Sequence, residues 1–83
     1  MTPEDIHSAI LGERARQQSM YGGVHSWGIG DCSGHGVTDA VKAAVLAEEC
    51  GEAARCALDR DKDGLRAELV QVAAVAWAWL EAL

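Results

Sequence analysis

The chain has 83 residues, 49% of them hydrophobic but only 5% aromatic and none of them Phe, and seven basic against thirteen acidic side chains leave a net charge of −6. A chain this short makes one domain that buries only about 60% of its unfolded surface, and its alanine-rich, aromatic-poor make-up argues for close-packed helices and against a β-sandwich. The negative charge argues against nucleic-acid polymers, whose phosphates it repels, and leaves room for a small phosphate ligand only where cations neutralise the carboxylates.

A first helix is expected over residues 1–19. Thr2 can cap it, Pro3 suits its first turn, and Glu4 and Asp5 favour the positive end of its dipole. Ile6, Ile10, Leu11 and Ala15 give it a weak apolar stripe. The acidic start carries no leader-like apolar core, so a cytoplasmic protein is expected. Residues 20–37 change character: six glycines (22, 23, 28, 30, 34 and 36) arrive with Tyr21, His25, Trp27, Asp31, Ser33 and His35. This reads as an ordered but irregular loop, of a length that is often functional.

Thr38 is placed to cap a second helix over residues 38–59, and a third is expected over residues 64–83, with the acidic turn from Asp59 to Gly64 between them. Two long helices joined by a short loop form an antiparallel hairpin. The run from Leu69 to Leu83 is apolar on nearly every face, yet its fifteen residues fall short of the roughly 20 that cross a bilayer. No membrane association is expected. The fold class is therefore all-α: a helical hairpin plus a short N-terminal helix. Neither can cover so apolar a third helix, so a homo-oligomer, dimer or tetramer, is expected to complete a four-helix-type bundle.

Chemistry concentrates on the hairpin. Glu49 and Glu52 lie three apart and share one face of the second helix; Glu68 and Gln71 repeat that spacing on the third. Folding the hairpin aims the pairs at each other. Three carboxylates meeting in a helical core repel unless protonated or bridged by a cation, and oxygen ligands select hard ions, Mg²⁺ or Mn²⁺. The plainer reading is a solvated helix face, because glutamate is a good helix former.

The stretch from Lys42 to Arg55, with Glu48-Glu49 followed by Glu52, resembles the EExxE helix of the MazG-like, all-α NTP pyrophosphohydrolase superfamily. In that family an ExxD follows on the next helix. Here Glu68-Leu-Val-Gln71 takes its place, so Gln71 stands where the family has an aspartate. Upstream, Glu13-Arg14-Ala-Arg16-Gln17, Tyr21-Gly22 and His25 also look like the N-terminal part of small MazG-like proteins. The resemblance implies that Glu49, Glu52 and Glu68 ligate a metal ion, with Gln71 offering a carbonyl oxygen and Glu48 supporting the site. It implies hydrolysis of a nucleoside triphosphate, NTP or dNTP, to the monophosphate and pyrophosphate.

Lys42 lies about a turn and a half before the acidic cluster and could meet phosphate, as could Arg55 or Lys62; the ordinary alternative is a solvated charge. Trp27 could stack on a base or plug the core under the loop, whereas Trp77 and Trp79 read as core and interface. His25 and His35 read as exposed. Asp59, Asp61, Asp63 and Gly64 match the opening half of an EF-hand loop, but Arg66 and Val70 fail its closing half, so an acidic cap on the third helix is expected instead. Cys32, Cys50 and Cys56 have neither disulfide nor zinc spacing and read as small buried hydrophobes.

Overall fold

The computed structural model describes residues 1–83 and is mostly helical, with α1 (Pro3–Tyr21), α2 (Asp39–Leu58) and α3 (Lys62–Glu81). The helix starts are local events. The Thr2 hydroxyl accepts the Asp5 amide at 3.1 Å and the Asp5 carboxylate accepts the Thr2 amide at 3.1 Å, with Pro3 opening the first turn. The Thr38 hydroxyl accepts the Val41 amide at 3.2 Å. Asp61 accepts the Gly64 amide at 2.9 Å and caps α3, so the acidic turn is spent on helix ends, and α3 begins two residues earlier than expected.

Between α1 and α2 the glycine-rich stretch is not irregular. It folds into a three-stranded antiparallel sheet of two-residue strands: β1 (Val24–His25), β2 (Gly28–Ile29) and β3 (Gly36–Val37). Gly28 pairs with both His25 and Val37. Its φ of +139° is closed to other residues, and a Cβ there would collide with the Gly36 carbonyl oxygen. Glycine thus permits three strands to turn within fourteen residues, a pattern that hydrophobic periodicity does not reveal.

The indole of Trp79 donates to Asp39 at 2.9 Å, which ties the end of α3 to the start of α2. The antiparallel seam follows spacings of four and three: Lys42, Leu46, Glu49, Ala53 and Cys56 on α2 face Leu65, Glu68, Val72, Val75 and Trp79 on α3. All ten are buried or half-buried. α3 packs against both other helices, while α1 and α2 hardly touch, which leaves a cleft between them.

The core is thin. Its buried hydrophobic residues are Val37, Ala53, Ala74, Val75 and Ala78, and no large side chain is fully buried. The expected apolar stripe of α1 does not form it: Ile6, Leu11 and Ala15 are exposed and Ile10 half-buried, while Arg14 and Gln17 go inside. The reason is Asp31. Arg14 donates to its carboxylate at 2.8 Å and to the Gln17 side-chain oxygen at 2.9 Å, so the buried face of α1 is the one that anchors the small sheet. The cysteines also depart from expectation: Cys50 is exposed, Cys32 and Cys56 are half-buried, and all three are free. No helix is long and apolar enough to cross a membrane.

Candidate metal centre and adjoining cleft

Helical spacing puts Glu49 and Glu52 on neighbouring turns of α2, and the seam brings Glu68 of α3 against them. One carboxylate oxygen from each of the three lies within 4.8 Å of the others. One oxygen of Glu49 and one of Glu68 are buried and receive no hydrogen bond from any donor in the protein. A buried carboxylate oxygen without a partner costs several times what an exposed one does. The strain is visible in the protonation of the site. Burial, then the charges of Glu52 and Glu68, push Glu49 up from 4.5 to about 7. Glu68 beside it also raises Glu52 above the ordinary carboxylate range.

Two orphaned buried oxygens and an all-oxygen donor set fit a hard divalent cation, which would relieve both the repulsion and the missing hydrogen bonds. Gln71 is half-buried on the next turn of α3 and lines the cleft beside Glu48 and Glu49; Glu48 itself is exposed.

The cleft encloses about 440 Å³, within the range of small-molecule sites. Val41 and Val45 of α2 and Val75 of α3 supply apolar wall and floor. Tyr21 and Trp27 supply aromatic surface, and Arg16 and Gln17 of α1 bring polar groups to the side facing the glutamates. Arg16 is gripped in two-pronged fashion by Glu13, at 2.6 and 2.7 Å, a contact that holds its charge firmly. Trp27 is presented by the turn between β1 and β2, with the imidazole of His25 stacked on it at 4.3 Å and 8°. His25 in turn donates to the Tyr21 carbonyl at 2.9 Å. Trp27 is 42% exposed, so it walls the cleft instead of plugging the core.

Asp31 closes the inner end. Burial would raise its carboxyl, but hydrogen bonds from Ser33 and Arg14 overcome that and hold it below 3.8. Cys32 beside it is raised above 9 by burial and by the Asp31 charge, which keeps it a thiol.

Two of the three expected substrate-binding residues do not reach this cleft. Lys42 is 2% exposed because it occupies the first seam position of α2, and it is absent from the cleft wall. Arg55 points to solvent near Asp59, 3.9 Å away, and Lys62 is exposed at the start of α3. Arg16 and Gln17 take the place expected of the lysine. Their signal in the sequence was a polar pair on a helix whose apolar stripe is too weak to be the buried side. Comparison with family models, characterised proteins and solved structures returns no match for this chain.

Proposed function

We propose that the chain is a metal-dependent nucleoside triphosphate pyrophosphohydrolase of the MazG-like kind. It converts an NTP or dNTP and water to the monophosphate and pyrophosphate, in cytoplasmic clearance of unwanted nucleotides, and works as a homo-oligomer. The observation that carries this reading is the convergence of Glu49, Glu52 and Glu68 within 4.8 Å at the edge of a cleft of about 440 Å³.

A Mg²⁺ or Mn²⁺ ion bound there would offset phosphate charge and make a coordinated water more acidic. Glu49, Glu52 and Glu68 would hold it, with the Gln71 carbonyl as a neutral fourth donor. Glu48, exposed at the cleft edge, is placed to take the proton of the attacking water. Arg16, fixed by Glu13, offers a positive charge to the phosphates, and Trp27 offers its face to the base. The test is pyrophosphate release from a panel of NTPs and dNTPs with Mg²⁺ or Mn²⁺, beside Glu52→Ala. Metal-dependent turnover lost in the variant is expected; folded protein inactive on every nucleotide refutes the reading.

Gln71 favours a second reading: a non-catalytic helical module that binds nucleotide or dimerises and keeps only a degenerate metal site. Glutamine supplies an oxygen without the negative charge of an aspartate, which lowers affinity for a hard cation. A large gain of hydrolysis in Gln71→Asp supports this reading; unchanged turnover supports a site adapted to glutamine.

A further inference from the structure

The hydrogen bonds of α1 extend beyond its anchor on the small sheet. One nitrogen of the buried Arg14, Nη1, donates to the Asp31 carboxylate at 2.8 Å and to the Gln17 side-chain oxygen at 2.9 Å. The side-chain nitrogen of Gln17, itself 7% exposed, then donates to Glu13 at 3.3 Å. Glu13 in turn accepts from Nε and Nη2 of Arg16 at 2.7 and 2.6 Å. An unbroken line of side chains therefore joins the turn after β2 to the cation on the cleft wall.

The direction of the Gln17 amide in this line is forced. A guanidinium only donates and a carboxylate only accepts, so the amide oxygen faces Arg14 and its nitrogen faces Glu13. The Glu13 carboxylate accepts from no side chain other than Gln17 and Arg16. Arg16 is the group that Glu13 orients, so Gln17 is what orients Glu13. A carboxylate in place of the Gln17 amide would keep the bond to Arg14 and lose the bond to Glu13, which separates the two roles by a change at a single atom.

Arg16 needs such a hold. Its side chain is 45% exposed, and a long side chain that must be ordered as a ligand arrives subtracts from affinity. Gripped by Glu13, and with Nη1 donating to the Met20 sulfur at 2.9 Å, it keeps a second N–H on each terminal nitrogen for an anion. Nη1 of Arg14 also secures Asp31, and with it the sheet whose β1–β2 turn carries Trp27. The cationic and aromatic walls of the cleft are thus both referred to a single buried atom.

We propose that Gln17 is a positioning residue. Acting through Glu13, it fixes Arg16 relative to the Trp27 wall and so sets the span of the ligand that the cleft takes, a flat ring joined to an anionic group. The identity of that ligand rests on the nucleotide reading; the positioning of Arg16 does not.

Hydrogen exchange at the arginine Nε–H groups, followed by ¹⁵N NMR of the full chain, tests the positioning with no ligand present. The Arg16 signal is identified by its loss in Arg16→Lys. It is expected to exchange with water about fivefold or more slower than that of the solvent-facing Arg55, the factor that one hydrogen bond carries. Gln17→Glu and Gln17→Met are each expected to remove that difference, whereas Gln18→Met on the exposed side of α1 keeps it. An Arg16 signal as fast as that of Arg55 in wild type, or one still protected in a folded Gln17 variant, overturns the proposal. If neither Gln17 variant folds, Glu13→Ala decides: Gln17 side-chain amide signals that move support the contact, and unmoved ones overturn it. In hydrolysis, Gln17→Met is expected to raise the KM for the nucleoside triphosphate about five- to tenfold with kcat within about twofold; a loss confined to kcat overturns the proposal. Protection of Arg16 that depends on Gln17, in a protein that hydrolyses no nucleotide, leaves the positioning standing and removes the nucleotide reading alone.

Discussion

Replacing Glu49 by glutamine is expected to stabilise the metal-free protein at pH 8 and to leave it unchanged at pH 4. In the folded chain burial and the charges of Glu52 and Glu68 raise Glu49 from 4.5 to about 7. A carboxyl raised in this way binds its proton more tightly folded than unfolded. Its favourable contribution is fully present below pH 4.5 and is lost as pH rises to about 7. The full shift corresponds to an upper bound of about 3 kcal/mol; water reaching the half-exposed site screens this to about 1–2 kcal/mol. Glutamine keeps the shape and one carbonyl oxygen but never carries the charge. In chelator, the melting temperature of wild type should fall between pH 5 and 8, and Glu49→Gln should exceed it at pH 8 by about 4–16 °C. Glu52 is raised too and acts in the same direction, so wild type falls by at least the Glu49 share. Asp31, held below 3.8, and the thiols of Cys32 and Cys56, raised above 9, titrate outside this window. Adding Mg²⁺ at pH 8 should restore wild type and not the variant, because an ion that binds only the folded state stabilises it in proportion to occupancy. Equal melting temperatures for the two proteins at pH 8 in chelator would refute the claim that this cluster is electrostatically strained.

Asp31→Ala removes the one carboxylate in direct hydrogen-bond contact with the buried Arg14. The stranded charge should cost about 3–5 kcal/mol, read by urea unfolding followed by circular dichroism. Trp27→Ala should raise the KM for nucleotide more than it lowers kcat, because the indole lines the cleft and is not one of the three converging carboxylates; an unchanged KM would remove it from the binding site. Arg16→Met should weaken triphosphate binding more than nucleoside binding by calorimetry, and equal losses would argue against a phosphate contact. Thr38→Ala strips the cap of α2 and should lower stability by about 1 kcal/mol without changing hydrolysis.

The helix ends and the acidic hairpin were legible because they are written in short-range chemistry. Thr2 and Asp5, then Thr38, then Asp61 each accept from an amide three residues away, Pro3 suits the first turn by its fixed φ, and the Glu49, Glu52 and Glu68 spacing needs only a hairpin to converge. The cleft was half legible. Trp27 stands out for its chemistry and walls the cleft, whereas Lys42, open in the sequence between a phosphate contact and a solvated charge, lies at neither place because its position in the four-three pattern makes it a seam residue. A positive charge near acidic residues says nothing about which face of the helix it occupies; only the position of α3 settles that.

The sequence by itself determined the three helices, their caps, the antiparallel hairpin and the pairing of acidic faces, since these depend on backbone preference and periodicity along one segment at a time. Only the tertiary structure decided that α1 turns Arg14 and Gln17 inward, that glycines build a sheet instead of a loop, and that Arg16 and Trp27 wall a cleft. Those outcomes rest on contacts between segments far apart in the chain, above all Arg14 with Asp31 across 17 residues. A buried ion pair there outweighs a weak apolar stripe, because leaving either charge alone inside costs more than leaving Ile6 and Leu11 in water.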